Sequence, residues 1–96
     1  MSGRKILWTL RALRRLDEIG AHIETDNPAA AARVIARIVS AVDMLVEQPA
    51  MGRVGRIRGT REAVLSDISY IIAYRVGRDI EILTIIHTSQ RWPSAF

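Results

Sequence analysis

No cysteine occurs among the 96 residues, which excludes disulfides and cysteine-ligated zinc and permits a reducing cytoplasm, the expected location. No stretch approaches the roughly 18 uninterrupted apolar residues of a membrane span, so no membrane partner is expected. Two basic residues open the chain, but Arg11, Arg14 and Arg15 follow so soon that no signal peptide is expected. Neither G-x-x-x-x-G-K-[ST] nor G-x-G-x-x-G is present, which leaves nucleotide binding without support. The two histidines, His22 and His87, have no acidic cluster beside them, so neither a metal nor any other cofactor is expected. There is also no internal repeat and no low-complexity tract, and residues 1–96 read as a single domain.

What is present is apolar and basic. Hydrophobic residues make up 49% of the chain and the net charge is +4. A domain this short buries a limited fraction of its surface, so surplus apolar area points to a partner that covers it. The positive charge favours an acidic or nucleic-acid partner without identifying one.

The strongest local signal lies in the last third. Ser69–Val76 and Asp79–His87 are rich in β-branched and aromatic residues and flank Gly77-Arg78, which reads as a hairpin closed by a two-residue turn. In the second run Ile80, Ile82 and Ile86 are expected on one face and Leu83 and Ile85 on the other, the mark of a central strand covered on both sides. Thr88–Pro93 then leaves the sheet as a polar, aromatic tail, because Pro93 cannot continue a ladder.

Earlier in the chain, Lys5–Trp8 reads as an edge strand. Thr9 can cap a helix over roughly residues 10–25, with Leu10, Leu13, Leu16, Ile19 or Gly20, and Ile23 as its apolar stripe. Asn27-Pro28 is a cap followed by a first-turn proline. It starts a second helix that runs to about Glu47 on a stripe of Val34 or Ile35, Ile38, Val39, Val42, Leu45 and Val46. Gln48-Pro49 ends it, and the short link makes the two helices an antiparallel hairpin. Residues 50–60 combine Gly52, Gly55 and Gly59 with Arg53, Arg56 and Arg58, a basic loop in which no regular element is expected. Arg61–Leu65 is a further strand. The order β-α-α-β-β-β implies an α+β domain, a helical hairpin packed on a small antiparallel sheet.

Pro49–Arg53, Gly59–Glu62, Tyr70–Arg75, Ile82-Leu83 with His87, and Gln90–Pro93, in this order and spacing, resemble the ParE toxins of the RelE/ParE superfamily across nearly the whole chain. The resemblance implies the same fold. It also implies a toxin of a type II toxin–antitoxin operon, neutralised by a ParD-like antitoxin in a hetero-oligomer and directed at DNA gyrase. Operator DNA would be met only through the antitoxin. Relatives of the RelE type are instead ribosome-dependent mRNA endonucleases. These place a basic residue near the position of Ile71 and end in an acid–base tyrosine or histidine. With Ile71 apolar and no tyrosine beyond Pro93, no catalytic residue is assigned and binding rather than catalysis is expected. The alternatives are a RelE-type nuclease and a non-toxic, antitoxin-binding operon regulator.

Target-contact candidates are Arg58, Arg61, His87, Gln90, Arg91 and Trp92. His87 reads first as a strand-end histidine with a satisfied hydrogen bond and the basic loop first as a solvated segment, while Trp92 reads equally as a cover for the sheet. Tryptophan and arginine are, however, the commonest anchors of binding hot spots, and arginines among glycines suit phosphate. Leu13, Ile35, Val39 and Met44 are candidates to line a groove for an antitoxin helix. The isolated toxin is expected to behave poorly without that partner.

Overall fold

The computed structural model describes residues 3–96. The chain runs β1 (Ile6–Trp8), α1 (Leu10–Glu24), α2 (Pro28–Met44), β2 (Arg53–Val54), β3 (Arg61–Leu65), β4 (Tyr70–Val76) and β5 (Ile80–His87). The five strands form one sheet in the order β1-β5-β4-β3-β2. The architecture is α+β, with two helices on one face of the sheet.

The caps act where their chemistry allows. Thr9 accepts from the backbone N–H of Ala12 at 3.1 Å, and Asn27 accepts from that of Ala30 at 3.0 Å with Pro28 in the first turn. Thr9 does a second job. Its hydroxyl lies 2.7 Å from the carbonyl of Ile82, to which it donates, so the cap fastens α1 to β5. Asn27 has no such tie. Thr9→Ala is therefore expected to cost about 2 kcal/mol and Asn27→Ala about 1 kcal/mol, to be read from urea denaturation midpoints. Equal losses would show that the bond to Ile82 contributes nothing.

Several details differ from the sequence reading, each for a physical reason. β1 pairs with β5 in parallel, Ile6 opposite Ile80 and Trp8 opposite Ile82, so the sheet is mixed rather than antiparallel. The β4–β5 connection spans three residues, Gly77–Asp79, because Val76 pairs with Ile80. The Asp79 carboxylate takes the backbone N–H of Lys5 and the Ile80 N–H donates to the Lys5 carbonyl, so this turn also docks β1. The basic loop does contain a strand, the short β2, which pairs Arg53 with Glu62 and Val54 with Arg61.

The largest departure lies in β5. Ala73 pairs with Thr84 but Tyr74 with Ile82, which leaves Leu83 as a bulge. One inserted residue reverses the alternation beyond it. Ile80, Ile82 and Ile85 therefore share the helix-facing core, while Ile86 pairs with Ile71 on the opposite face. The expected grouping of Ile86 with Ile80 and Ile82, and of Ile85 with Leu83, is corrected by that bulge.

The helices also bury narrower stripes than expected. In α1 the fully buried residues are Ala12 and Ile19; Leu10 and Leu13 are exposed. In α2 they are Ala31, Ile38, Ala41 and Val42, and the helix ends at Met44, with Leu45 buried just beyond it. The core joins these to Ala63, Leu65, Tyr70, Ile72 and Tyr74. Among the described residues no helix is long and apolar enough to cross a membrane.

Candidate functional site

Three places carry polar or exposed groups beyond what the fold requires. The first is the outer face of the sheet at β2–β3. Alternation along β3 sends Ala63 and Leu65 to the helices and Glu62 to the other side, opposite Ala73. Glu62 is only 2% exposed because the glycine-bearing loop folds back over it. One carboxylate oxygen accepts from Arg53 Nε and a terminal nitrogen at 2.9 and 2.8 Å; the other accepts from the Arg56 backbone N–H at 2.8 Å and from Arg56 Nε at 3.3 Å. Burial pushes this carboxyl up, but the Arg56 N–H and the two guanidinium groups outweigh it and hold it below its ordinary value. The Arg56 guanidinium also lies 3.8 Å from the centre of the Trp92 ring, a cation–π contact, and Trp92 meets Phe96 at 6.4 Å. The tail is thus joined to the loop through one buried carboxylate.

The second place is a trough between α1 and the C-terminal end of β5. Arg15 donates from Nε to the Ile85 carbonyl at 3.0 Å and from a terminal nitrogen to Gln90 Oε1 at 2.6 Å. Gln90 Oε1 also accepts the His87 N–H at 2.8 Å. The backbone N–H of Ser89 donates to His87 Nδ1 at 3.1 Å and the Ser89 hydroxyl lies 2.7 Å from it, so in the neutral ring the proton sits on Nε2. Tyr70 meets the imidazole edge-on at 5.1 Å. Two hollows open here, of about 370 and 530 Å³, and both are lined by Arg15, Glu18 and Gln90.

The third is an apolar groove of about 270 Å³ between the end of α2 and β3, lined by Ala41, Met44, Met51, Val64 and Leu65, with Arg37 at its rim. Arg37 is held by a two-pronged bond to Asp67, at 2.9 and 3.3 Å. β2 pairs with β3 only at Arg61 and Glu62, so Ala63–Leu65 form an open edge beside this groove.

The target-contact candidates therefore do not form one surface. His87 and Gln90 line the trough, and Arg91 lies on its wall. Trp92 is on Arg56, at the outer face. Arg61 donates to the carbonyl of Gly52 at 2.7 Å, so its role includes holding the loop. Arg58 is exposed in the loop between β2 and β3. Of the antitoxin-contact candidates, Met44 lines the groove, and it is 47% exposed. Ile35 packs over Gly20 between the helices, Val39 is half-buried, and Leu13 is exposed on α1. Sequence reasoning did not single out Glu62 or Arg15. The signal available for Glu62 was its place one step out of phase with Ala63 and Leu65, next to a loop supplying two arginines. Among the described residues no group of three or more histidine or acidic side chains is placed to hold a metal ion.

Comparison with known proteins places these features in context. Residues 6–92 match the family described as the ParE toxin of the type II toxin–antitoxin system, parDE. A candidate toxin of Sinorhizobium fredii, Y4kP, is 68% identical over 93 residues, covering 97% of each chain. Toxin RelE2 of Caulobacter vibrioides is 34% identical over 87 residues, 90% of this chain and 97% of that one. Among solved structures, one of the chromosomal ParDE toxin–antitoxin system of P. aeruginosa superposes with a TM-score of 0.81 at 28% identity, covering 90% of this chain and 97% of that one. The toxin–antitoxin complex RelBE2 of Mycobacterium tuberculosis shares the fold at a TM-score of 0.66 and 23% identity, over 94% and 97% of the two chains.

Proposed function

The chain belongs to the ParE family of toxins of type II toxin–antitoxin systems, and from that premise we propose that it acts by binding a type II topoisomerase, DNA gyrase, and is neutralised by a ParD-like antitoxin. The observation that carries binding over catalysis is the outer face of β4. There Ile71 is buried between Val64 and Ile86, an apolar position where RNA cleavage would call for a cation to meet developing phosphate charge. Arg53 and Arg56, at the same outer face, are already committed to Glu62.

An antitoxin segment fits the groove at Met44. It is flanked by exposed Met51 and Val64 and by the open edge of β3, so an apolar segment gains both side-chain burial and main-chain hydrogen bonds there. Methionines suit such a surface because they adapt to the shape they meet.

Two observations favour a second reading, a ribosome-dependent mRNA endonuclease. The relative RelE2 shares a third of its residues with this chain, and His87 is oriented by Ser89 with Tyr70 beside it, as an acid–base group would be. One experiment separates the two. Purified toxin added to gyrase is expected to inhibit supercoiling or accumulate cleaved complex, with antitoxin reversing the effect, while mRNA ends in a translation extract stay unchanged. Unaltered gyrase together with codon-positioned cuts that His87→Ala abolishes would reject the proposal. In the same system Met44→Glu is expected to weaken reversal by antitoxin about thirtyfold, the scale of a hot-spot residue, and full reversal would move the antitoxin to another face.

A further inference from the structure

We propose that the trough along α1 is a binding site for the phosphodiester backbone of duplex DNA. Of the fourteen basic residues only Lys5 is a lysine, and the arginines are unevenly used. The basic loop, the obvious phosphate site in the sequence, is disfavoured at Arg53 and Arg56 because Glu62 already engages both. Three uncommitted guanidinium groups gather instead at the trough. Arg11 and Arg14 from α1 and Arg91 from the tail line it, and among the described residues none of the three has an ion-pair partner. Arg15 is fixed in its floor by the Ile85 carbonyl and Gln90. The one carboxylate there, Glu18, is 3.5 Å from Arg15.

Positions 11, 14, 15, 18 and 22 recur at helical spacing, so the two hollows, which share Arg15, Glu18 and Gln90, form one channel from Arg11 to His22. The eleven helical steps from Arg11 to His22 extend about 16 Å, room for roughly three consecutive phosphates of one strand. Planar guanidinium forks match phosphate oxygens two at a time.

An acidic peptide presents the same charge, but the trough does not suit one. Peptide affinity comes from apolar burial or from an open strand edge. Ile85 and Ile86 in the floor are already buried, and the edge groups of β5 at Ile85 and His87 are taken by Arg15 and Gln90. What the trough offers is charge, which dominates affinity for a nucleic-acid backbone. The open edge and the apolar groove lie elsewhere, at Met44. The inference does not depend on gyrase being the target.

The test is fluorescence anisotropy of a labelled 20-base-pair duplex of arbitrary sequence titrated with the full-length toxin freed of antitoxin. Binding is expected in the micromolar range, with a slope of log affinity on log salt of about −3. Arg11→Ala/Arg14→Ala is expected to lower affinity at least tenfold and bring the slope to about −1. Arg33→Ala/Arg78→Ala removes the same charge elsewhere and is expected to change affinity less than twofold. Circular dichroism checks that all variants fold. Equal losses in the two double variants would overturn the proposal, because net charge alone would then explain binding. So would tighter binding of a labelled oligoglutamate peptide than of the duplex, or no salt-dependent binding at all. None of these results bears on gyrase inhibition, which is read in its own assay.

Discussion

Glu62→Ala is expected to lower the melting temperature of the isolated toxin by about 15 °C, corresponding to about 3 kcal/mol for a domain of this size. Among the described residues Glu62 is the only carboxylate buried at the outer face, and it terminates four hydrogen bonds from Arg53 and Arg56. Its loss leaves two like charges side by side with nothing between them. Both arginines are about half exposed, so water relieves part of the penalty and the figure stays at the low end for a broken buried pair. The effect also reaches the tail. With Arg56 released, Trp92 loses the cation it stacks on, so tryptophan emission in a Trp8→Phe background should shift to the red. A melting temperature within 2 °C of the parent would sink the idea that this carboxylate organises the loop.

The same group sets an acid limit on stability. Its carboxyl sits below its ordinary value of 4.5 in the folded chain. A depressed carboxyl adds stability that is full above the unfolded value and disappears as pH falls through the folded one. The stability of the parent should therefore fall below about pH 4.5, and Glu62→Ala should fall less steeply over that window. Asp67, lowered chiefly by its bond to Arg37, follows the same sign but is exposed, so the parent–variant difference isolates Glu62.

Much of this fold was legible in the sequence because the signals were local. Thr9 and Asn27-Pro28 are caps with a mechanism, and the β-branched runs about Gly77 leave few alternatives to a hairpin. What escaped was set by pairing partners far away in the chain. The bulge at Leu83 carries no residue signature; it follows from fitting Tyr74 and Ile82 on one side and Ala73 and Thr84 on the other. The parallel pairing of β1 depends on Asp79 capturing Lys5, 74 positions distant. Leu10 and Leu13 fit an apolar stripe by spacing and still face solvent, because the stripe that packs on the core is Ala12, Leu16, Ile19 and Ile23. At the site, Arg91 and Gln90 stood out by composition. Their separation from Trp92 did not, since it arises where the tail passes from the trough to the outer face.

The remaining large effect is expected at Gly52. Its N–H donates to the Tyr74 hydroxyl at 2.8 Å, and that hydroxyl donates in turn to the Pro49 carbonyl at 2.8 Å. Tyr74 is fully buried, so one phenol ties the end of the α2–β2 connection to the central strand β4. A β-carbon at residue 52 would lie 2.5 Å from the Tyr74 oxygen, 2.7 Å from a ring carbon and 2.9 Å from the Glu62 carbonyl. None of these is a flexible chain end. Gly52→Ala should therefore displace the ring and break both hydrogen bonds, at about 4 kcal/mol, enough to leave the isolated toxin largely unfolded at 37 °C. Tyr74→Phe removes the bonds without the collision and should cost about 2 kcal/mol. Because the two changes act on one contact, the double variant should be less destabilised than the sum of the singles. Strict additivity in urea melts would refute the shared contact. The phenol supplies an independent check. Burial pushes it above its ordinary value of 10.0, against the opposing Gly52 N–H and the Arg61 charge. A raised group contributes stability that is complete below the unfolded value and is lost as pH rises above it, so the parent should weaken above about pH 10 and Tyr74→Phe should lack this component of the loss.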